Sequence, residues 1–144
     1  MRDNFNKAFQ LVIGLEGGYS NDPNDPGKET KFGISKRYNP EVDVVNITLD
    51  QAKAIYLKKY WIPSGCDDAL YPLDICLFDG AVNPQNDPTL PGAGNPEIMA
   101  LSPANWQEFL LWRMVRYMKN SKSIYVKGHL FRVLRLFEAI WKEG

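Results

Sequence analysis

The chain has 144 residues, room for one hydrophobic core, and its 44% apolar and 12% aromatic content is that of a folded protein. Formal net charge is zero and no apolar run approaches the ~20 residues of a membrane span, so neither a nucleic-acid partner nor a transmembrane segment is expected. Cys66 and Cys76 make no disulfide framework and are expected as free buried thiols; with one His beside them, no metal and no cofactor are expected.

The charge is unevenly placed. Residues 1–101 carry 9 basic and 14 acidic side chains, and residues 102–144 carry 8 and 3. The basic C-terminal region either meets an anionic polymer or a membrane surface, or packs against the acidic part of its own chain. The N-terminus, MRDNFNKAF, has no apolar signal-peptide core, so no export signal is expected in the chain itself.

Residues 4–16 read as an amphipathic helix with Phe5, Phe9, Val12 and Ile13 on one side, flanked by Ala8, Leu11 and Leu15. Glu16 falls in the middle of that apolar side and is its one ionisable residue. A carboxylate there is costly unless paired or used, and apolar walls would raise its pKa, as suits a proton donor near neutral pH. The other reading of Glu16 is a solvated helix end or half of a buried ion pair. Gly17 and Gly18 stop the helix.

Residues 20–47 are polar, with a short hairpin or a helical turn from Ser35 expected. Thr48-Leu49-Asp50-Gln51 is a capping box that opens a helix with Leu49, Ala52, Ile55, Tyr56 and Tyr60 as its apolar positions, ended by Pro63 and Gly65. A third helix opens near Pro72 and runs to Asn83, with Asp79 and Asn83 on one face. Residues 84–101 form a long Pro- and Gly-rich loop, expected as one wall of a groove. Ser102-Pro103 opens a helix bearing Trp106, Phe109, Leu110, Met114 and Tyr117. The last helix spans about 124–142, with Val126, Leu130, Val133, Leu134, Phe137, Ile140 and Trp141 as its buried stripe. The expected fold is mainly α, a single domain over 1–144 with long polar loops and little or no β.

The chemistry concentrates between Glu16 and Gly33. Asp25 follows Glu16 by nine residues, and Thr30 follows Asp25 by five. Glycoside hydrolysis needs an acid on the leaving oxygen and a second carboxylate, or a water it activates, on the opposite side of the bond. Glu16 on a helix end facing Asp25 on a loop supplies such a pair, and the Thr30 hydroxyl can hold the water. The competing reading of Asp25 is an Asx-turn acceptor. A calcium loop counted from Asp22 fails, because positions five and twelve hold Pro26 and Gly33. No GxxxxGK[ST] phosphate loop is present.

The stretch EGGYSNDPNDPGKETKFGI, residues 16–34, resembles the signature EGGYxNDPxDPGGxTxxGI of glycoside hydrolase family 108, the N-acetylmuramidase group that includes phage endolysins and secretion activator proteins. YLKKYW at 56–61, FDGAVN at 78–83 and GHLFRV at 128–133 are similar to its further motifs. Lys28 and His129 depart from the pattern, standing where the family usually has Gly and Trp, and loop 84–101 replaces the family's usual continuation. The resemblance implies a lysozyme-like helical fold with Glu16 as catalytic acid. By similarity to phage-type lysozymes of family 24, it casts Asp25 and Thr30 as water-positioning groups of an inverting hydrolysis. It implies peptidoglycan as partner, cut between N-acetylmuramic acid and N-acetylglucosamine, by a protein made in the bacterial cytoplasm that acts on the cell wall after release or as part of a phage particle; a monomer is expected. Gly17, Gly18, Tyr19, Asn21, Asp79 and Asn83 are the expected substrate-binding residues. The alternatives are an inactive peptidoglycan-binding module and a phage structural component.

Overall fold

The computed structural model describes residues 1–13, 20–21, 29–83, 105–120 and 123–143. A 3-10 turn (Arg2–Asn4) leads into α1 (Phe5–Ile13). Three short strands follow, β1 (Ser20–Asn21), β2 (Glu29–Lys31) and β3 (Ile34–Ser35), then α2 (Leu49–Tyr56) and a π-helical turn (Leu57–Trp61). The remaining helices are α3 (Leu73–Val82), α4 (Trp106–Asn120) and α5 (Ser123–Glu143). The mainly α architecture agrees with the sequence pattern.

α3 is the centre. Its residues 73–81 are all buried, as expected of a helix that is apolar nearly all round. α1 and α4 pack on it directly, and α5 packs on α4. Phe5, Ala8 and Phe9 of α1 are buried, with Val12 and Ile13 packed against the same core. Phe5, Trp61 and Phe78 meet edge to face, with ring centroids 5.5–5.8 Å apart. Cys66 and Cys76 are free and buried, and burial pushes both thiols up in pKa, away from reactivity.

Two aspartates interrupt α3, and each has partners. Asp74 accepts from the Asn4 amide at 2.7 Å and from the Met1 amino group at 2.7 Å. Asp79 pairs with Arg113 of α4.

The segment after β1 resolves the choice between hairpin and helical turn in favour of both. The strands form an antiparallel sheet in the order β1-β2-β3, and the chain then makes a turn with Asn39 N–H bonded to the Ser35 carbonyl at 3.0 Å. Phe32 and Gly33 join β2 to β3 with φ of 52° and 75°, the paired positive values of a type I′ hairpin. A side chain at Gly33 would also collide with the Tyr56 hydroxyl.

The capping box at Thr48 forms: Gln51 N–H donates to Thr48 Oγ1 at 3.2 Å, and Thr48 N–H donates to Gln51 Oε1 at 2.9 Å. The helix it opens differs from expectation at its far end. In a continuous α-helix Trp61 would lie about 140° round from Tyr56. The i→i+5 turn, with Ile62 N–H to Leu57 carbonyl at 2.9 Å, swings Trp61 back to the core side, where it is fully buried. The Trp61 indole then donates to Asp67 at 2.8 Å, and Arg2 pairs with the same carboxylate.

The last helix also corrects the expected stripe. Val133 and Ile140 are buried as expected and Leu136 joins them, whereas Leu134 and Trp141 are 47% and 65% exposed. Leu11 of α1, expected as a flank of the buried face, is exposed too.

Gly33→Ala should destabilise the fold, while Gly128→Ala should stabilise it by about 0.5–1 kcal/mol, since Gly128 sits mid-helix with open space around it. Urea unfolding of the two variants checks the opposite signs. Hydrogen bonding from Arg2, reinforced by Trp61, holds the Asp67 carboxyl down to a pKa of about 2. A depressed folded pKa gives stability that is present above the unfolded value of 3.8 and is lost as pH falls toward about 2. The urea midpoint should therefore drop between pH 5 and pH 2.5 by more in wild type than in Asp67→Asn.

Candidate active site

Glu16, Gly17, Gly18, Tyr19 and Asp25 lie outside the described residues, as does loop 84–101. The frame on both sides of them is described. Thr30 occupies the middle of the central strand, paired with Ser20 on β1 and Ser35 on β3. Asn21 pairs with Glu29 at the end of the β1–β2 ladder and is exposed. The chain reaches Ser20 from Tyr19, and it reaches β2 from the stretch that holds Asp25.

Tyr56 clamps this sheet to the core. Its hydroxyl donates to the Phe32 carbonyl at 3.1 Å, and its ring meets Phe9 edge to face at 5.3 Å. Burial pushes its phenol pKa up, so it stays protonated and keeps donating. Ile13, the end of α1 as described, lies beside the same hairpin tip: a methyl at Gly33 would come within 3.9 Å of its Cγ2. The end of α1 and the β2–β3 turn are thereby neighbours.

The FDGAVN motif closes α3 beside a polar network that joins three helices. Asp79 is 2% exposed, with one carboxylate oxygen on Arg113 and the other 3.4 Å from the Asn83 amide. It therefore faces Arg113 rather than solvent, and supports Asn83 instead of presenting oxygens to a sugar. Asn83 also bonds the Asp79 carbonyl from its amide at 3.2 Å, and its Oδ1 accepts from Arg132 of α5 at 2.6 Å. Tyr117 accepts from Arg113 and donates to the Asn83 carbonyl at 2.6 Å. Asn83 is thus held in one orientation from both ends of its side chain.

Arg113 is fully buried. Burial opposes its charge, and Asp79 and Tyr117 more than offset that, so its pKa is raised. Its Nε has no hydrogen-bond partner among the described residues and lies against Gly80. The His129 ring packs 5.4 Å from Tyr117, and burial together with Arg132 lowers its pKa.

Sequence reasoning missed Arg113, Tyr117 as a hydrogen-bonding group, and Arg132. The signal for Arg113 was legible: it shares the helical spacing of Trp106, Phe109, Leu110 and Tyr117, so a cation was aimed at the core.

The chain's Glycosyl hydrolase 108 match covers residues 9–84, just over half its length, and takes in the Glu16–Gly33 stretch, the clamp at Tyr56 and the Asp79–Asn83 helix end. The chain belongs to glycosyl hydrolase family 108 and is by that membership a glycoside hydrolase. Its fold is similar to that of SagA from Brucella abortus, with a TM-score of 0.75 and 24% identity, over 99% of this chain and 96% of that one. A comparison with curated proteins gives no match.

Removing one partner of the Asp79–Arg113 pair leaves a buried charge alone. Arg113→Met should cost about 3–5 kcal/mol of unfolding free energy, and adding Asp79→Leu should restore most of it. Urea titrations of the single and double variants measure both.

Proposed function

We propose that this protein is a peptidoglycan hydrolase of the N-acetylmuramidase type. It cuts the β-1,4 bond between N-acetylmuramic acid and N-acetylglucosamine. Glu16 is the general acid, and Asp25 and Thr30 place the attacking water. The observation that carries the reading is the frame: α1, which leads to Glu16, ends beside the hairpin whose central strand bears Thr30, and the stretch bearing Asp25 joins that strand to β1. Family membership supports the glycosidic reaction class.

The chemistry follows from the roles. The Glu16 carboxyl gives its proton to the glycosidic oxygen as the C1–O bond breaks, because a sugar oxygenate is a poor leaving group. A water held by Thr30 attacks C1 from the opposite side, and its proton passes to the Asp25 carboxylate. Asn21 offers its amide to the acetamido and hydroxyl groups of the strand, and Asn83, fixed by Asp79 and Arg132, offers the remaining lone pair of its Oδ1 to a hydroxyl. Gly17, Gly18 and Tyr19 let the strand approach the backbone and stack.

Glu16→Gln should lower cleavage of sacculi by about 10²–10⁴-fold with fold and wall binding retained. Asp25→Asn should be severe and Thr30→Ala milder. Turbidity loss of permeabilised Gram-negative cells and muropeptide analysis read the three variants. Proton NMR of the first-formed reducing end should give the α-anomer for direct attack by water, whereas a β-anomer would make Asp25 a covalent nucleophile. A folded Glu16→Gln protein that clears cells at the wild-type rate would remove Glu16 from this role.

A further inference from the structure

At the end of the helical layer away from Asn83 there is a cavity of about 630 Å³. Tyr71 and Pro72 line it just ahead of α3, Trp106 and Gln107 from the start of α4, and Trp141 and Glu143 from the end of α5. Each helix separates it from the polar network. From Pro72 to Asn83, and from Glu143 back to Arg132, the chain rises about 16 Å, and from Gln107 to Tyr117 about 15 Å. The cavity is therefore not part of the site built around Asn83.

Its walls are aromatic and fixed. Trp141 stacks on Phe137 with ring centroids 6.0 Å apart and planes 12° apart, and Phe137 in turn packs on Trp106 at 5.0 Å. One face of Trp141 is held this way while 65% of the residue stays exposed, which makes it a platform. The size suits a two-ring ligand.

The charge at the rim selects among ligands. Glu143 pairs with Lys7 and accepts from the Tyr71 hydroxyl, and the Lys7 ammonium lies 4.7 Å over the Tyr71 ring. The cation that an aromatic wall and a carboxylate would attract is already supplied by this chain. A cationic ligand must displace Lys7, and an anionic one meets Glu143. What fits is a neutral molecule with a flat apolar face for Trp141 and polar edges for the Gln107 carboxamide and the Glu143 carboxylate. A pyranose ring has that form: its axial C–H groups cover an aromatic face and its equatorial substituents point outward.

We propose that this cavity is a second glycan-binding site, apart from the proposed cleavage site, which takes an N-acetylated disaccharide unit with one ring on Trp141. The choice of N-acetylhexosamine over other neutral pyranoses rests on the hydrolase reading given above; the stacking geometry does not. Such a site holds a strand of the wall polymer while the other end of the domain works on it.

The test titrates chitotetraose into the full-length ¹⁵N-labelled Glu16→Gln protein and follows the indole N–H signals of its four tryptophans. The Trp106 and Trp141 signals should shift and saturate, while that of buried Trp61 stays still. Trp141→Ala, at an exposed position, should keep its circular dichroism and urea midpoint, lose the Trp106 shift, and bind sacculi several-fold more weakly. Trp106 and Trp141 signals that do not move at millimolar oligosaccharide would overturn the proposal, as would unchanged sacculus binding by folded Trp141→Ala. Failure of the hydrolase reading would show separately, as wild-type protein that releases no muropeptides from sacculi, and would leave the indole shifts in place.

Discussion

The ion pair between Asp79 and Arg113 is the constraint on which the helical layer depends. α3 is buried along its length, and a carboxylate in its middle is tolerable only with a partner that is itself fully desolvated. Arg113 meets that need from α4, and its second nitrogen reaches Tyr117, which in turn reaches the end of α3 at Asn83. The pair therefore fixes the register of α4 against α3, and through Arg132 it draws in α5. Three helices are located by one chain of hydrogen bonds that ends on a motif residue.

The sheet depends on a second contact of the same kind. Strands of two or three residues cannot hold themselves together in water. The Tyr56 hydroxyl on the Phe32 carbonyl anchors the hairpin turn to the core. Phe9 and Phe78 hold the Tyr56 ring edge to face, so the turn is tied to α1 and α3 at once. Thr30 sits on the strand that this turn terminates, so its place is set by a phenol far along the chain.

The two ends of the helical layer carry different chemistry. At one end Asn83 and Arg132 crowd polar groups around the end of α3. At the other, aromatic rings surround a cavity whose ion pair is internal.

What the sequence by itself determined was the local grammar and the family. Phe5 and Phe9 recur at helical spacing, Thr48 and Gln51 form a cap within four residues, and the Glu16–Gly33 stretch resembles one glycosidase signature; each signal lies within a few residues of chain. The structure agrees with the helices these signals marked. What only the tertiary structure decided were the features set by partners far apart in sequence. The π-helical turn exists because Trp61 must reach the core and Asp67, and no local propensity favours it. Trp141 has the same 3.6-residue spacing as its buried neighbours, yet Leu136 and Ile140 are buried and Trp141 is left out. Asp79 reads as a site residue from its motif, and only the arrival of Arg113 from 34 residues away turns it inward. Periodicity reports which face of a helix is apolar, but the neighbour that packs there decides how wide the buried face is and which charge is taken inside with it.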